Sequence, residues 1–135
     1  MVDGNRRPAV LLIDDESIVR RLLRTMLMDL GCDVTQEASK GEDGIELFRA
    51  ARPDIVFIDI NMVGMGGFDV LKAILAIDPA AFAVIVSADS TADNVRGAIS
   101  GGAQGFVVKP FTASRFKDIL DKFNRQRNAA DQPAA

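Results

Sequence analysis

The chain has 135 residues, enough for one domain with a single hydrophobic core, and 48% of them are hydrophobic, which excludes wholesale disorder. The formal net charge of −3 is scattered over the sequence, which excludes the basic footprint of a domain that binds nucleic acid directly. With one cysteine and no histidine, the chain lacks the residues for an intramolecular disulfide, for Ser-His-Asp or Cys-His catalysis and for histidine-based metal sites.

The N-terminal residues 1–7 form an extension ahead of the first predicted strand and contain no apolar segment of the kind found in secretion signals. No apolar run in the sequence approaches the length that crosses a membrane. A lone cysteine is typical of a protein from a reducing compartment. We therefore expect a cytoplasmic protein that does not insert into a membrane.

The first strand and the first helix have clear apolar patterns. Residues 9–13, AVLLI, form an unbroken apolar run, which predicts a buried strand. In residues 16–31 apolar side chains recur at helical spacing with arginines on the opposite face, and Gly31 is a natural stop. The apolar positions of this helix are Ile18, Val19, Leu22, Leu23, Met26, Leu27 and Leu30.

A short strand follows around residues 33–37, and a second helix comes after it. Ser39 and Glu42 have the spacing of a capping box at the start of that helix, and Ile45 and Phe48 are predicted to face inward. Residues 53–59 predict the third strand, which ends at an aspartate. A glycine-rich loop then leads to a third helix, whose predicted buried stripe is Phe68, Leu71, Ile74 and Leu75.

The fourth strand is predicted over residues 81–88, AFAVIVSA, with Ser87 at its carboxyl end. Residues 92–100 predict the fourth helix. We expect this helix to be weak, because Gly97 within it and Gly101 just after it lower the helix propensity.

Residues 104–109, QGFVVK, predict the fifth strand, which Pro110 terminates. A last helix extends from Ala113 to about Arg125, and residues 128–135 are predicted to be a flexible tail. The domain proper is therefore expected to span residues 8–127. The predicted buried side chains of the last helix are Phe116, Ile119, Leu120 and Phe123.

Strand and helix alternate about five times, and the strands are apolar on both faces. This pattern is typical of an α/β domain with a parallel sheet covered by helices on both sides. The pattern leaves the strand order open. Ligands of such sheets bind beyond the carboxyl ends of the strands. Four polar side chains follow different predicted strands at that edge: Asp14, Asp59, Ser87 and Lys109.

Three carboxylates, those of Asp14, Asp15 and Asp59, would meet at this edge. Like charges this close resist simultaneous ionisation unless a divalent cation joins them, and ligands that are all oxygens favour Mg²⁺, with Mn²⁺ as a substitute. Lys109 and Ser87 could contact a phosphoryl group, and Asp59 could form an aspartyl phosphate. Each feature alone has an ordinary explanation, such as a helix cap or a turn, so their convergence carries the hypothesis.

Four stretches of the sequence match one protein family: IDDE at 13–16, DIVFIDINMVGMGGFDVL at 54–71, VIVSA at 84–88 and GGAQGFVVKPF at 101–111. The chain closely resembles the receiver domains of two-component response regulators, especially the single-domain chemotaxis type. The resemblance covers residues from about Pro8 to Phe123, nearly the whole chain.

The resemblance implies a doubly wound, flavodoxin-like fold with strand order 2-1-3-4-5 and helices on both faces. It also implies that Asp59 accepts a phosphoryl group from a sensor histidine kinase or a histidine phosphotransfer protein. Asp15, Asp59 and the backbone carbonyl of Asn61 would bind Mg²⁺ directly, and Asp14 would act on it through water or by orienting the site. Ser87 and Lys109 would contact the phosphoryl group, and the Lys109–Pro110 peptide bond is expected to be cis.

The family also implies a switch in which Ser87 moves toward the phosphoryl group and Phe106 turns inward. The change would remodel the surface of the fourth helix, fifth strand and fifth helix for a downstream effector. Asn61 and Asp89 are expected to tune the lifetime of the aspartyl phosphate. Val63 departs from the family, which usually has proline at that position.

Several alternatives stay open. The chain could be a stand-alone regulator, a phosphorelay intermediate, a phosphate sink or a piece of a larger protein, and we expect no output domain within this chain. A Mg²⁺-dependent aspartyl-phosphate phosphatase would need an acid two residues after Asp59, where Asn61 stands. A flavodoxin-like cofactor binder would need a phosphate loop in place of the acidic DDES segment at 14–17. An unphosphorylated, degenerate receiver is disfavoured, because the full residue set is present. We therefore predict a phosphoacceptor rather than an enzyme.

Overall fold

A computed structural model describes residues 6–130 as five parallel strands in the order β2-β1-β3-β4-β5, alternating with five helices. The predicted doubly wound α/β fold and the order 2-1-3-4-5 are confirmed. The strands are β1 Ala9–Ile13, β2 Asp33–Ala38, β3 Ile55–Asp59, β4 Phe82–Ser87 and β5 Gly105–Val108. The helices are α1 Ser17–Asp29, α2 Gly41–Ala51, α3 Gly67–Ile77, α4 Ala92–Ser100 and α5 Ala113–Ala130.

The core consists of two apolar layers, one on each face of the sheet. One layer packs α2, α3 and α4 on alternate strand residues, and the other packs α1 and α5 on the residues between them. Every residue of β3 and β4 is buried, which explains why these strands are continuous apolar runs instead of alternating ones. The two layers are represented by Ile58, Ile74 and Phe106 on the first face and by Phe57, Leu27 and Phe116 on the second.

The predicted apolar face of α1 is wider than the face that the helix buries. Leu23 and Leu27 are buried against the sheet, whereas Ile18 and Leu22 are 81% and 51% exposed. The apolar spacing identifies a helix correctly, but the rotation of the helix on the sheet decides which apolar positions are covered. The helix ends before Gly31, whose φ of 96° lies in the left-handed region that glycine tolerates.

The predicted Ser39–Glu42 capping box is wrong. The helix α2 begins at Gly41 with Lys40 at the N-cap position, and no side chain caps it. Ser39 therefore stands one residue too early to reach the third amide of the helix.

The predicted stripe of α3 needs a correction as well. Val70, Leu71 and Ile74 are buried, but Phe68 and Leu75 are only half-buried at the edge of the layer. The other two differences concern helix ends: Gly101 is the C-cap of α4 rather than an interior residue, and α5 continues to Ala130.

The amino edge of the sheet is tied to the N-terminal segment. Arg6 forms two hydrogen bonds to the Asp54 carboxylate, at 2.8 and 2.9 Å, and the Ala9 amide donates to the same carboxylate at 2.7 Å. Burial alone would raise the pKa of Asp54, but these hydrogen bonds outweigh it and lower the pKa. Residues 1–5 of the predicted extension and residues 131–135 of the predicted tail lie outside the described residues.

The start of α3 presses against the end of β3. A Cβ atom on Gly67 would lie 2.3 Å from the backbone oxygen of Asp59 and 2.7 Å from the Cα atom of Ile60. The Gly67 amide also donates to the Ile60 carbonyl at 3.0 Å. The loop from Asp59 to Gly67 can close this tightly only because residue 67 has no side chain.

We therefore expect Gly67→Ala to lower the free energy of unfolding by about 3 kcal/mol, because the clash is with backbone atoms that no rotamer change relieves. The matched control is Gly66→Ala, whose Cβ would meet nothing closer than the Ile60 oxygen at 3.7 Å and which should cost less than about 1 kcal/mol. Urea unfolding of the three proteins measures both effects. Equal stability of the two variants would contradict the close approach.

Candidate functional site

Three polar side chains are buried where β1, β3 and β4 end. Asp14, Asp59 and Ser87 are 2%, 4% and 0% exposed. Ile13 pairs with Ile58 and Asp59 pairs with Val86, so the parallel register brings these residues to one edge of the sheet. The predicted convergence at the carboxyl edge is therefore present in the fold.

Lys109 follows β5 and extends to the carboxylates of β1 and β3. Its Nζ atom lies 3.2 Å from Asp14 Oδ2 and 3.6 Å from Asp59 Oδ1, and its side chain is only 15% exposed. Its backbone amide donates to the Ser87 carbonyl at 2.9 Å, which extends the pairing of β4 and β5 by one residue. The Lys109–Pro110 peptide bond is cis. The ammonium group thus offsets part of the charge of two buried carboxylates.

Asp14, Asp15, Glu16 and Asp59 form an acidic cluster in which one carboxylate oxygen of each residue lies within 4.8 Å of the others. Sequence reasoning missed Glu16 because it was assigned to the helix. The structure places it at the N-cap of α1, with its carboxylate 3.9 Å from Lys109 Nζ and its amide donating to Asp14 Oδ1 at 2.9 Å. The sequence could have identified Glu16 as a member of the cluster, since it directly follows Asp14 and Asp15.

The acidic cluster fits a divalent cation on its chemistry. All four ligand groups are hard oxygens, which suit Mg²⁺ and Mn²⁺ and disfavour Zn²⁺. Four carboxylates face one lysine, so the cluster keeps an excess of negative charge that a cation would neutralise.

Burial, with the negative charge of Asp14, raises the pKa of Asp59 to about 6, although Lys109 and the Asn61 amide act in the opposite direction. The Asn61 amide lies 3.4 Å from Asp59 Oδ1, and the side chain of Asn61 is exposed. At neutral pH Asp59 is therefore mostly a carboxylate that is poorly solvated, and that would gain from a nearby cation.

Ser87 is held by the loop that follows β4. Its Oγ atom accepts a hydrogen bond from the Asp89 amide at 3.0 Å, so the hydroxyl proton is left for another acceptor. Asp89 itself is exposed, and its carboxylate accepts from the Thr91 amide at 3.2 Å. Ser87 and Asp89 are thus linked within one short turn.

Phe106 lies outside the acidic cluster. It is 7% exposed, belongs to the layer under α3 and α4, and pairs across the sheet with Ile85, two residues before Ser87. Arg115 of α5 donates to the Phe106 carbonyl at 2.9 Å. The structure therefore puts this aromatic ring in an inward position.

The fold and the acidic edge together define a flavodoxin-like α/β domain with an oxygen-rich cation pocket at the carboxyl ends of its strands. The chain belongs to the response regulator receiver domain family, whose family model matches residues 10–121.

Two curated relatives and two solved structures show the extent of the similarity. The chain is 38% identical over 116 residues to the chemotaxis protein CheY of Thermotoga maritima, covering 86% of this chain and 97% of the relative. It is 36% identical over 120 residues to CheY-3 of Vibrio cholerae, covering 87% and 92%.

Among solved structures, the CheX-CheY-BeF3-Mg²⁺ complex from Borrelia burgdorferi matches with a TM-score of 0.81 and 26% identity, covering 84% of this chain and 87% of that chain. The signal receiver domain of a putative LuxO repressor from Vibrio parahaemolyticus matches with a TM-score of 0.84 and 27% identity, covering 93% and 96%.

Membership of this family establishes the general role of the chain. Receiver domains are the regulatory phosphoacceptors of two-component signalling and bind Mg²⁺ at an acidic pocket, and CheY-like receivers interact with histidine kinases and with downstream targets. Within residues 6–130, none of the helices is both long enough and apolar enough to cross a bilayer.

The raised pKa of Asp59 predicts a pH-dependent stability difference. The folded protein holds the Asp59 proton more tightly than the unfolded chain does, so the stability conferred by the protonated carboxyl is lost as the pH rises through about 6. In EDTA, the free energy of unfolding of wild type should fall by about 2 kcal/mol relative to that of Asp59→Asn between pH 4.5 and 7.5. Denaturant unfolding at both pH values checks this, with Asp118→Asn on the exposed face of α5 as the control for a lost charge. The same Asp59→Asn effect at both pH values would contradict it.

Proposed function

We propose that the chain is a phosphorylation-activated signalling receiver that accepts a phosphoryl group on Asp59 from the phosphohistidine of a sensor histidine kinase or a histidine phosphotransfer protein. The single observation that carries the proposal is the buried Asp59 carboxylate, within 3.6 Å of the Lys109 ammonium and inside a cluster of four acids. A nucleophile, a cation for the phosphoryl oxygens and ligands for a metal therefore meet at one edge of the sheet.

The carboxylates of Asp14, Asp15 and Asp59 and the backbone carbonyl of Asn61 would hold Mg²⁺, and Mn²⁺ would substitute for it. When bound, the ion neutralises the carboxylates and the charge on the transferring phosphoryl oxygens. The relative from Borrelia burgdorferi forms a complex that contains Mg²⁺, which supports this choice of ion.

In the transfer, a carboxylate oxygen of Asp59 attacks the phosphorus atom, the P–N bond of the phosphohistidine breaks, and the imidazole leaves with the electron pair. Lys109 would pair with one phosphoryl oxygen, since its Nζ atom already faces Asp59. Ser87 would donate to another, since the Asp89 amide occupies a lone pair of its hydroxyl and leaves the proton available. These groups position the phosphoryl group and offset its charge.

The signal would leave the site through Ser87 and Phe106. Phe106 already lies inward at 7% exposure, so movement of the Ser87 hydroxyl toward the phosphoryl group would free space that stabilises this position, and the α4-β5-α5 surface would change with it. Ile99 and Val108 are 55% and 43% exposed on this surface, which gives a downstream effector apolar side chains to contact.

Asn61 and Asp89 are both exposed beside the site, where they would control the approach of water to the aspartyl phosphate and so its lifetime. A phosphorelay intermediate or a phosphate sink would use the same chemistry without an effector. The phosphatase alternative fails on its general acid, because Asn61 cannot donate a proton to a leaving group. The cytoplasmic location stays a prediction.

The phosphoacceptor role is tested by intact mass after incubation with Mg²⁺ and a small acyl phosphate. We expect one phosphoryl adduct on wild type and on Asp54→Asn, a control at the opposite end of β3, and none on Asp59→Asn. The adduct should also disappear in EDTA. Absence of an adduct from both the acyl phosphate and a phosphorylated histidine kinase would contradict the proposal.

The switch is tested by hydrogen exchange of the phosphorylated protein. Wild type should change its protection in α4 and β5 on phosphorylation, whereas Ser87→Ala should be phosphorylated with little change in those elements. Ser90→Ala alters an exposed serine of the same loop and should behave as wild type. An equal change in protection in wild type and Ser87→Ala would show that the switch does not depend on Ser87.

A further inference from the structure

The backbone of Asp14 is fixed on both sides. Its amide donates to the Ala38 carbonyl of β2 at 3.1 Å, and its carbonyl oxygen accepts a hydrogen bond from Arg20 Nη1 of α1 at 2.6 Å. The Asp14 carbonyl belongs to the peptide unit that leads into Asp15. The Arg20 guanidinium therefore holds the peptide between the two aspartates of the acidic cluster.

Arg20 is in turn held by Glu37 at the end of β2. The Nε atom of Arg20 donates to Glu37 Oε1 at 3.1 Å, and Arg24 Nε donates to Glu37 Oε2 at 2.7 Å. The side chains of Arg20 and Glu37 are only 18% and 24% exposed, so this ion pair is better shielded than most surface pairs. The planar guanidinium can bridge a carboxylate and a carbonyl at once, which a lysine ammonium does less rigidly.

We propose that Arg20 is a positioning residue for the acidic cluster: it fixes the Asp14–Asp15 peptide so that the Asp15 carboxylate converges with those of Asp14 and Asp59. Glu37 keeps the guanidinium on the β2 side of the site, where it meets a carbonyl oxygen instead of the carboxylates. The inference rests on the proposed function, because the convergence serves a divalent cation and a phosphoryl group.

The charge of Arg20 and its hydrogen bond to Asp14 have opposite effects on cation binding. A guanidinium near the cluster repels a cation, so loss of the charge alone would tighten binding. Loss of the hydrogen bond frees the Asp14–Asp15 peptide, so binding would weaken because the carboxylates must be ordered anew. The sign of the change in affinity therefore separates positioning from charge.

The experiment measures Mn²⁺ affinity directly, by the electron paramagnetic resonance signal of free Mn²⁺, on the unphosphorylated full chain. We expect Arg20→Gln to raise the dissociation constant about tenfold. Arg24→Gln is the matched control, since Arg24 binds the same Glu37 carboxylate and the Val34 carbonyl, at 3.3 Å, but does not contact Asp14. Its dissociation constant should stay within about twofold of wild type.

Arg20→Lys keeps the charge but has a single donor nitrogen in place of the rigid guanidinium, and its dissociation constant should lie between those of wild type and Arg20→Gln. Unfolding in EDTA reports whether each variant is folded. If Arg20→Gln does not fold, the Mn²⁺ affinity of Arg20→Lys decides the test. An unchanged or lower dissociation constant in Arg20→Gln, or an equal rise in Arg24→Gln, would overturn the role of Arg20. Failure of wild type itself to bind Mn²⁺ would overturn the metal site of the proposed function, which the mass measurement tests separately.

Discussion

Repulsion between two buried carboxylates is the constraint on which this site depends. Asp14 and Asp59 end adjacent strands, are almost wholly buried, and can stay there only with a compensating charge. Lys109 supplies part of that charge from beyond β4, since its long side chain spans the end of the intervening strand. The remaining negative charge makes the edge receptive to a cation and, through the cation, to an anionic phosphoryl group.

The strands were predictable because burial on both faces leaves a simple mark on the sequence. The runs that end at Ile13, Ile58 and Val86 are apolar without interruption, and such runs occur in sheets covered on both sides. The polar residue that follows each run stood out for the same reason, because a buried strand has no local need for a carboxylate or a hydroxyl. The strand order could not be predicted from these runs, because they carry no information on which strand pairs with which.

The errors come from contacts that apolar spacing does not record. Spacing alone could not show that Lys40 precedes α2 without a side-chain cap, or that Phe68 lies at the edge of its layer. Glu16 was assigned to the helix although it is the N-cap of α1, and Arg20 was placed on the outer face of that helix, yet both contact Asp14. Helical periodicity gives the face of a residue, but the contacts of a long polar side chain depend on what the neighbouring strand presents.

The glycine at the start of α3 sets how closely that helix approaches the end of β3. With no Cβ atom at residue 67, the first turn of α3 lies directly against the backbone of Asp59 and Ile60. A side chain at residue 67 would push the helix away from the strand that carries Asp59. On the other side of Asp59, the turn after Ser87 is held by two local hydrogen bonds, from the Asp89 amide to Ser87 Oγ and from the Thr91 amide to the Asp89 carboxylate. One missing methyl group thus fixes the spacing between the backbone of Asp59 and the helix that follows it.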